Sequence, residues 1–125
     1  MRTKNGVAAV LLIVLFAVSF SHQARAQGQE AEITGTVVDV YCLVTMNMEG
    51  KAHRQCAMEC VKNGAPLGIK EEKTGAIYLV AGQKKMVYAS SQLEKYVEQR
   101  VTARGTVYER GGVKMLVVDS AKPVK

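Results

Sequence analysis

Two alternating apolar segments near the C-terminus constrain the fold of this chain most. Residues 101–108 and 113–119 each alternate apolar and polar side chains, and residues 109–112, Glu-Arg-Gly-Gly, lie between them. A period of two is typical of a half-buried β-strand, and a short glycine-containing connection joins antiparallel strands. The pattern therefore predicts a β-hairpin. The residues expected to face the core are Val101, Val107, Met115 and Val117.

Further short strands are predicted upstream of this hairpin. Residues 32–41 are rich in threonine and valine and alternate in the same way, which favours a half-buried first strand. The segments 67–70, 76–81 and 85–89 are separated by glycine- and lysine-containing turns and are also expected to be strands. Together with the hairpin, these segments indicate a domain that is mainly β.

Two short helices are expected between the strands. After a loop over residues 44–51, the apolar period over residues 52–61 is that of a helix, and Asn63-Gly64 is a typical helix end. Ser91 followed by Glu94 forms a capping box for a second helix that ends near Gln99.

The order of these elements predicts a small closed barrel of the oligonucleotide/oligosaccharide-binding (OB) type. Strand, strand, strand, helix, strand, strand is the order of that fold, and the helix over residues 52–61 is an addition to it. The alternative is an open α+β sheet with both helices on one face. Residues 32–125 are enough for one domain, and the polar residues 27–31 are expected to form a flexible lead-in.

The N-terminus has the pattern of a cleaved signal peptide. Arg2 and Lys4 precede an apolar stretch over residues 7–20, and Ala24-Arg25-Ala26 supplies the small residues that a signal peptidase reads. As a helix this stretch would span about 21 Å, too short for a hydrocarbon core of about 30 Å. We therefore expect residues 1–26 to be removed and the mature chain to be periplasmic or secreted, without a stable membrane span.

Charge argues against a nucleic-acid partner for the mature chain. Removal of residues 1–26 leaves 14 Lys and Arg against 11 Asp and Glu, a net charge of +3. This is an ordinary charge for a soluble domain, and no basic patch is interleaved with aromatic residues. The expected partner is an unidentified periplasmic protein or small ligand.

The residues that can carry chemistry are clustered. His53, Cys56 and Cys60 lie at i, i+3 and i+7 on one face of the first predicted helix, and Cys42 follows the first strand. Three cysteines and a histidine could complete a tetrahedral zinc site. With Met46 and Met48, thiolates and thioethers could instead bind copper(I). The sequence thus predicts a Cys/His metal site in a binding or accessory module.

Over these residues the chain resembles a family of small exported bacterial proteins of unknown function. The family has a Gly-Thr-Val-Val-Asp-x-Tyr-Cys start, a His-x-x-Cys-Ala-x-x-Cys helix and a barrel-like C-terminal half. The corresponding segments here are residues 35–42, 53–60 and 101–118. The resemblance implies export and a role for the cysteines, but it implies no particular ligand.

Export also allows the cysteines to be oxidised, because disulfides persist outside the cytoplasm. A disulfide could join Cys42 to Cys56 or to Cys60, and the third thiol would remain free. The chain would then be a domain held by a structural disulfide. A thiol-redox protein is a further alternative, in which His53 and Asp39 could assist a helix thiol. Since nothing else needed for catalysis is identifiable, we do not expect an enzyme.

Overall fold

Five β-strands and two short α-helices make up the part of the chain that the computed structural model describes, residues 28–82 and 93–125. The strands are β1 (Gln29–Asp39), β2 (Leu67–Glu71), β3 (Ile77–Gly82), β4 (Arg100–Arg110) and β5 (Val113–Pro123). The helices are α1 (Val40–Met46) and α2 (Arg54–Lys62), and 3-10 turns lie at Lys51–His53 and Glu94–Tyr96.

The strands form a closed barrel in the order β1-β2-β3-β5-β4. β1 closes it, because its first part pairs with β4 from Gln29 onward and its last part pairs with β2 up to Asp39. The β3–β5 pair is parallel and the other four are antiparallel. The predicted OB-like barrel is confirmed, and the alternative of an open sheet is wrong because a single long strand joins both sides of the sheet. Residues 29–31 of the expected lead-in belong to β1.

The predicted C-terminal hairpin is present and longer than expected. Gly111 and Gly112 form its turn with positive φ values of 58° and 81°, a conformation that glycine adopts without steric cost. Within β4, a register shift falls between Arg104 and Gly105. A Cβ atom on Gly105 would collide with the Val117 carbonyl oxygen, so the two backbones approach too closely there for any side chain.

The predicted inward face of β5 is wrong. Leu116 and Val118 are fully buried, whereas Met115 is 37% exposed and Val117 is only half-buried. Apolar residues occupy both faces of this strand, so alternation alone does not select the buried one. In β4, Val101 is buried as predicted and Val107 is half-buried.

The helices differ in part from the prediction. The first strand ends at Asp39 and α1 replaces the end of the predicted strand and the start of the predicted loop. The predicted helix over residues 52–61 is present as a 3-10 turn continued by α2. The predicted second helix ends with the 3-10 turn at Glu94–Tyr96 rather than near Gln99, because Val97 adopts extended geometry and bridges to Val37. Ser91 and the predicted strand over 85–89 lie outside the described residues.

The core fills the barrel and extends under α2. Ala57 and Val61 bring one face of α2 into this core, beside β1. No helix in the described ranges is long and apolar enough to cross a membrane. The buried residues of the core are Ile33, Val37, Ala57, Val61, Leu67, Ile69, Leu93, Val97, Val101, Ala103, Leu116 and Val118.

Candidate metal centre

Asp39 positions the first ligand of the candidate centre. It is the last residue of β1 and the N-cap of α1, where its Oδ1 atom accepts a hydrogen bond from the backbone N–H of Cys42 at 3.2 Å. This is the usual geometry by which an aspartate begins a helix. The backbone N–H of Val40 donates to the Pro66 carbonyl at 2.9 Å and ties this junction to the start of β2. As a result, both Asp39 and Cys42 are buried, at 0% and 1% exposure.

Helix α2 brings a second sulfur to this point. The Sγ atoms of Cys42 and Cys60 are 3.9 Å apart, although the residues are far apart in the chain. The ligand atoms of Asp39, Cys42 and Cys60 all lie within 4.8 Å of one another. All three cysteine thiols are free, and Cys60 is only partly buried. The three side chains therefore form a cluster of two thiols and a carboxylate, which we call the Asp-Cys-Cys centre.

The surroundings hold both thiols in their protonated form. Hydrogen bonding to the Asp39 carboxylate and burial raise the pKa of Cys42 to about 12 from 9.0. The pKa of Cys60 is also raised: its hydrogen bond with Cys42 acts to lower it, but burial and the neighbouring Cys56 outweigh that effect. Neither sulfur is therefore a ready thiolate in the metal-free protein.

Asp39 has one carboxylate oxygen without a hydrogen-bond partner among residues 28–82 and 93–125. Its Oδ1 accepts from the N–H of Cys42, but Oδ2 is buried and finds no such donor in the described part of the chain. Buried polar atoms without a partner are rare in folded proteins and call for an explanation. Because Asp39 belongs to the same cluster as the two sulfurs, a bound cation is one such explanation.

His53 and Glu98 form a second buried polar group nearby. Their exposures are 5% and 7%. Within the segments that the structure describes, both ring nitrogens of His53 and Oε1 of Glu98 lack hydrogen-bond partners. The backbone of Gly50 connects the two residues. Its N–H donates to Glu98 Oε2 at 2.7 Å, and its carbonyl accepts from the backbone N–H of His53 at 2.9 Å. Glu98 has a φ of 57°, unusual for a residue with a side chain, and its N–H donates to Val37.

Replacing Glu98 with glutamine is expected to raise the melting temperature by a few degrees near pH 8. Burial, the largest cause, raises the pKa of Glu98 above its ordinary value. The folded state therefore binds this proton more tightly than the unfolded state, and stability falls as pH rises through the folded pKa. Glutamine has no such loss, and its carbonyl can still accept from Gly50. Thermal melts from pH 4 to 8 measure the difference, with Glu109→Gln on the exposed hairpin as the control.

If the difference between Glu98→Gln and the unchanged chain stayed constant down to pH 4, ionisation of Glu98 would not be its cause. A difference that shrinks toward pH 4 is the expected result, because Glu98 is then mostly protonated in both states.

The remaining predicted ligands are not among the clustered ligand atoms of the Asp-Cys-Cys centre. Cys56 is exposed on α2, one turn before Cys60. Met46 and Met48 are 51% and 41% exposed, at the end of α1 and just beyond it. His53 is buried, but its ring is not among the ligand atoms that cluster with the two sulfurs.

Asp39 is the cluster residue that the predicted ligand set omitted. The sequence marks Asp39 only by its position, as a single acidic residue between a β-rich segment and Cys42. Glu98 lies in a polar segment with no such signal. Comparison with protein-family models, curated proteins and solved structures finds no match to this chain. The geometry of the site therefore carries the functional argument.

Proposed function

We propose that the chain is a small exported metal-binding module, and that the Asp-Cys-Cys centre holds one zinc ion. Asp39, Cys42 and Cys60 supply three ligands, and the fourth position of a tetrahedral ion is left for water or an external ligand. Export rests on the signal peptide expected over residues 1–26.

The separation of the two sulfurs is the observation that carries this proposal. Cys42 Sγ and Cys60 Sγ are 3.9 Å apart. Zinc–sulfur bonds of about 2.3 Å at a tetrahedral angle place two sulfurs about 3.8 Å apart. A disulfide requires about 2.05 Å. The spacing thus matches two thiolates that share one ion better than it matches a bond between them.

The charges of the cluster also support a cation. Two thiolates and the Asp39 carboxylate would repel one another in a buried position, and a divalent ion would offset that repulsion. Zinc binding would release the protons of both thiols. It would also give the buried Oδ2 atom of Asp39 a partner.

The ligand set favours zinc over copper(I). Copper(I) prefers soft sulfur ligands alone, whereas zinc accepts thiolate and carboxylate together. Asp39 provides the carboxylate, and the thioethers that would favour copper belong to the exposed Met46 and Met48.

We expect the reduced mature chain to bind one zinc ion, and Cys42→Ser or Cys60→Ser to abolish this binding, because two remaining ligands cannot hold the ion. Native mass spectrometry gives the stoichiometry. Cobalt(II), used in place of zinc, gives a near-ultraviolet thiolate-to-metal absorption band that should disappear in both variants. Met46→Leu is the matched control and should keep full binding.

Failure of the unchanged chain to bind zinc, or full binding by the Cys42→Ser, Cys60→Ser double variant, would contradict the proposal.

A thiol-redox role is the second candidate, and the same sulfur contact favours it. Cys42 and Cys60 are close enough that a small side-chain movement could bring their sulfurs to bonding distance. The raised pKa of Cys42 weighs against this role, because the thiolate is the reactive form. A thiol count on unfolded, metal-free protein isolated without reductant separates the two: three free thiols support the metal centre, and one supports a disulfide.

A further inference from the structure

The three cysteines lie along a path from the surface to the Asp-Cys-Cys centre. Cys56 is exposed, Cys60 is partly buried and Cys42 is 1% exposed. Cys56 and Cys60 are one turn apart on α2. The Sγ atoms of Cys60 and Cys42 are 3.9 Å apart. The side chain of Cys56 also influences the pKa of Cys60. Cys60 therefore contacts Cys42 through its sulfur, and Cys56 lies one helical turn from Cys60 on the exposed side.

This order matters because the two inner ligands are more deeply buried than Cys60. Asp39 is fully buried and Cys42 nearly so, which leaves Cys60 as the part of the centre that faces outward. A zinc ion that arrives with its water shell must lose that shell before it reaches the inner pair. An ion passed from one thiolate to another never has to be fully hydrated on the way.

We propose that Cys56 is the receiving thiol of the centre, and that it takes zinc from a donor that holds the ion by thiolates. This inference rests on the proposed function. The expected partner is a metal carrier that holds zinc through two thiolates. In the first exchange the Cys56 thiol loses its proton, a Cys56–zinc bond forms and one donor sulfur–zinc bond breaks. The released donor thiolate takes up the proton.

The ion then moves inward by the same kind of exchange. A bond from zinc to Cys60 replaces the second donor bond, and a bond to Cys42 replaces the bond to Cys56. Each arriving thiol gives up a proton and each departing thiolate takes one, so no oxidant or reductant is required. Cys56 ends as a free thiol again, ready for another transfer.

The test compares loading rates for Cys56→Ser, the unchanged chain and Gln55→Ser, a control at the adjacent exposed position of the same helix. Zinc is supplied either as its one-to-one complex with dithiothreitol or as the hydrated ion, and a zinc-sensitive dye follows transfer. Cys56→Ser should slow loading from the dithiol complex at least tenfold. Its final stoichiometry, and its loading rate from hydrated zinc, should be unchanged.

Loading of Cys56→Ser from the dithiol complex at the unchanged rate would overturn this inference and leave the proposed function intact. Loss of one-to-one binding in Cys56→Ser at equilibrium would also overturn it, because Cys56 would then be a permanent ligand. If the unchanged chain takes up no zinc from either source, the proposed function fails and the inference fails with it.

Discussion

Truncating Leu116 to alanine is expected to lower the free energy of unfolding by about 2–5 kcal/mol, the range for large-to-small changes in a protein core. Leu116 is fully buried in the barrel core. Removing its side chain loses apolar burial and leaves a cavity that the closed barrel can fill only in part. Met115→Ala on the opposite face of β5 is the matched control. It should cost less than about 1 kcal/mol, since Met115 is 37% exposed.

Urea unfolding followed by circular dichroism measures both variants. If Met115→Ala proved the more damaging of the two, β5 would have its other face toward the core. A one-residue shift of a strand exchanges its faces completely, so this pair of variants tests the register of the barrel directly.

Replacing Asp39 with asparagine is expected to weaken zinc binding at least about tenfold, the smallest loss typical when groups that support a metal site are removed. Asparagine can still accept the hydrogen bond from the Cys42 N–H, so α1 should still begin at the same residue. The change removes the negative charge that we propose the ion contacts. Competition with a chromophoric chelator gives the affinity, and Glu109→Gln is the control for loss of a carboxylate elsewhere.

The same variant should change the titration of the metal-free protein. The pKa of Cys42 is expected to fall from about 12 back toward 9.0, because hydrogen bonding to Asp39 is the largest cause of its rise. Since the folded pKa is the higher one, the unchanged protein loses stability as pH increases from 9.0 toward 12. Asp39→Asn should reduce that loss. Thiolate absorbance near 240 nm and unfolding at several pH values measure both effects.

An unchanged zinc affinity in Asp39→Asn would mean that the carboxylate is not a ligand, and the ion would then be held by sulfur alone. A Cys42 pKa that stays near 12 would assign its rise to burial rather than to Asp39.

Local signals in the sequence predict the hairpin and the cysteine helix correctly. Gly111 and Gly112 define a turn by themselves, and the apolar period around Ala57 and Val61 defines a helix in which both of these residues are buried, although Cys56, predicted on the same face, is exposed. The face of β5 could not be predicted in the same way, because both of its faces carry apolar side chains. In the folded barrel, Leu116 and Val118 are buried. Both pair with β4 just beyond the register shift between Arg104 and Gly105.

The candidate centre was predictable only in part. Proximity of Cys42 to the helix was expected, but the sequence did not decide which helix cysteine would be its neighbour. Helix α1 carries Cys42 and so determines which helix cysteine it meets. The sequence did not predict α1, because its residues are rich in β-formers and its start depends on the side chain of Asp39. Glu98 was missed because its burial depends on the chain crossing beside Val37, a contact between distant segments.

The pairing of Asp39 with Leu67 in the β1–β2 ladder has a consequence for modularity. The two strand ends meet directly, so residues 40–66, with all three cysteines, form an excursion whose ends are already neighbours. Such a cassette could be exchanged between barrels, in evolution or by engineering, without changing the strand order. A recipient would need an aspartate at the end of its first strand and an apolar surface to receive Ala57 and Val61.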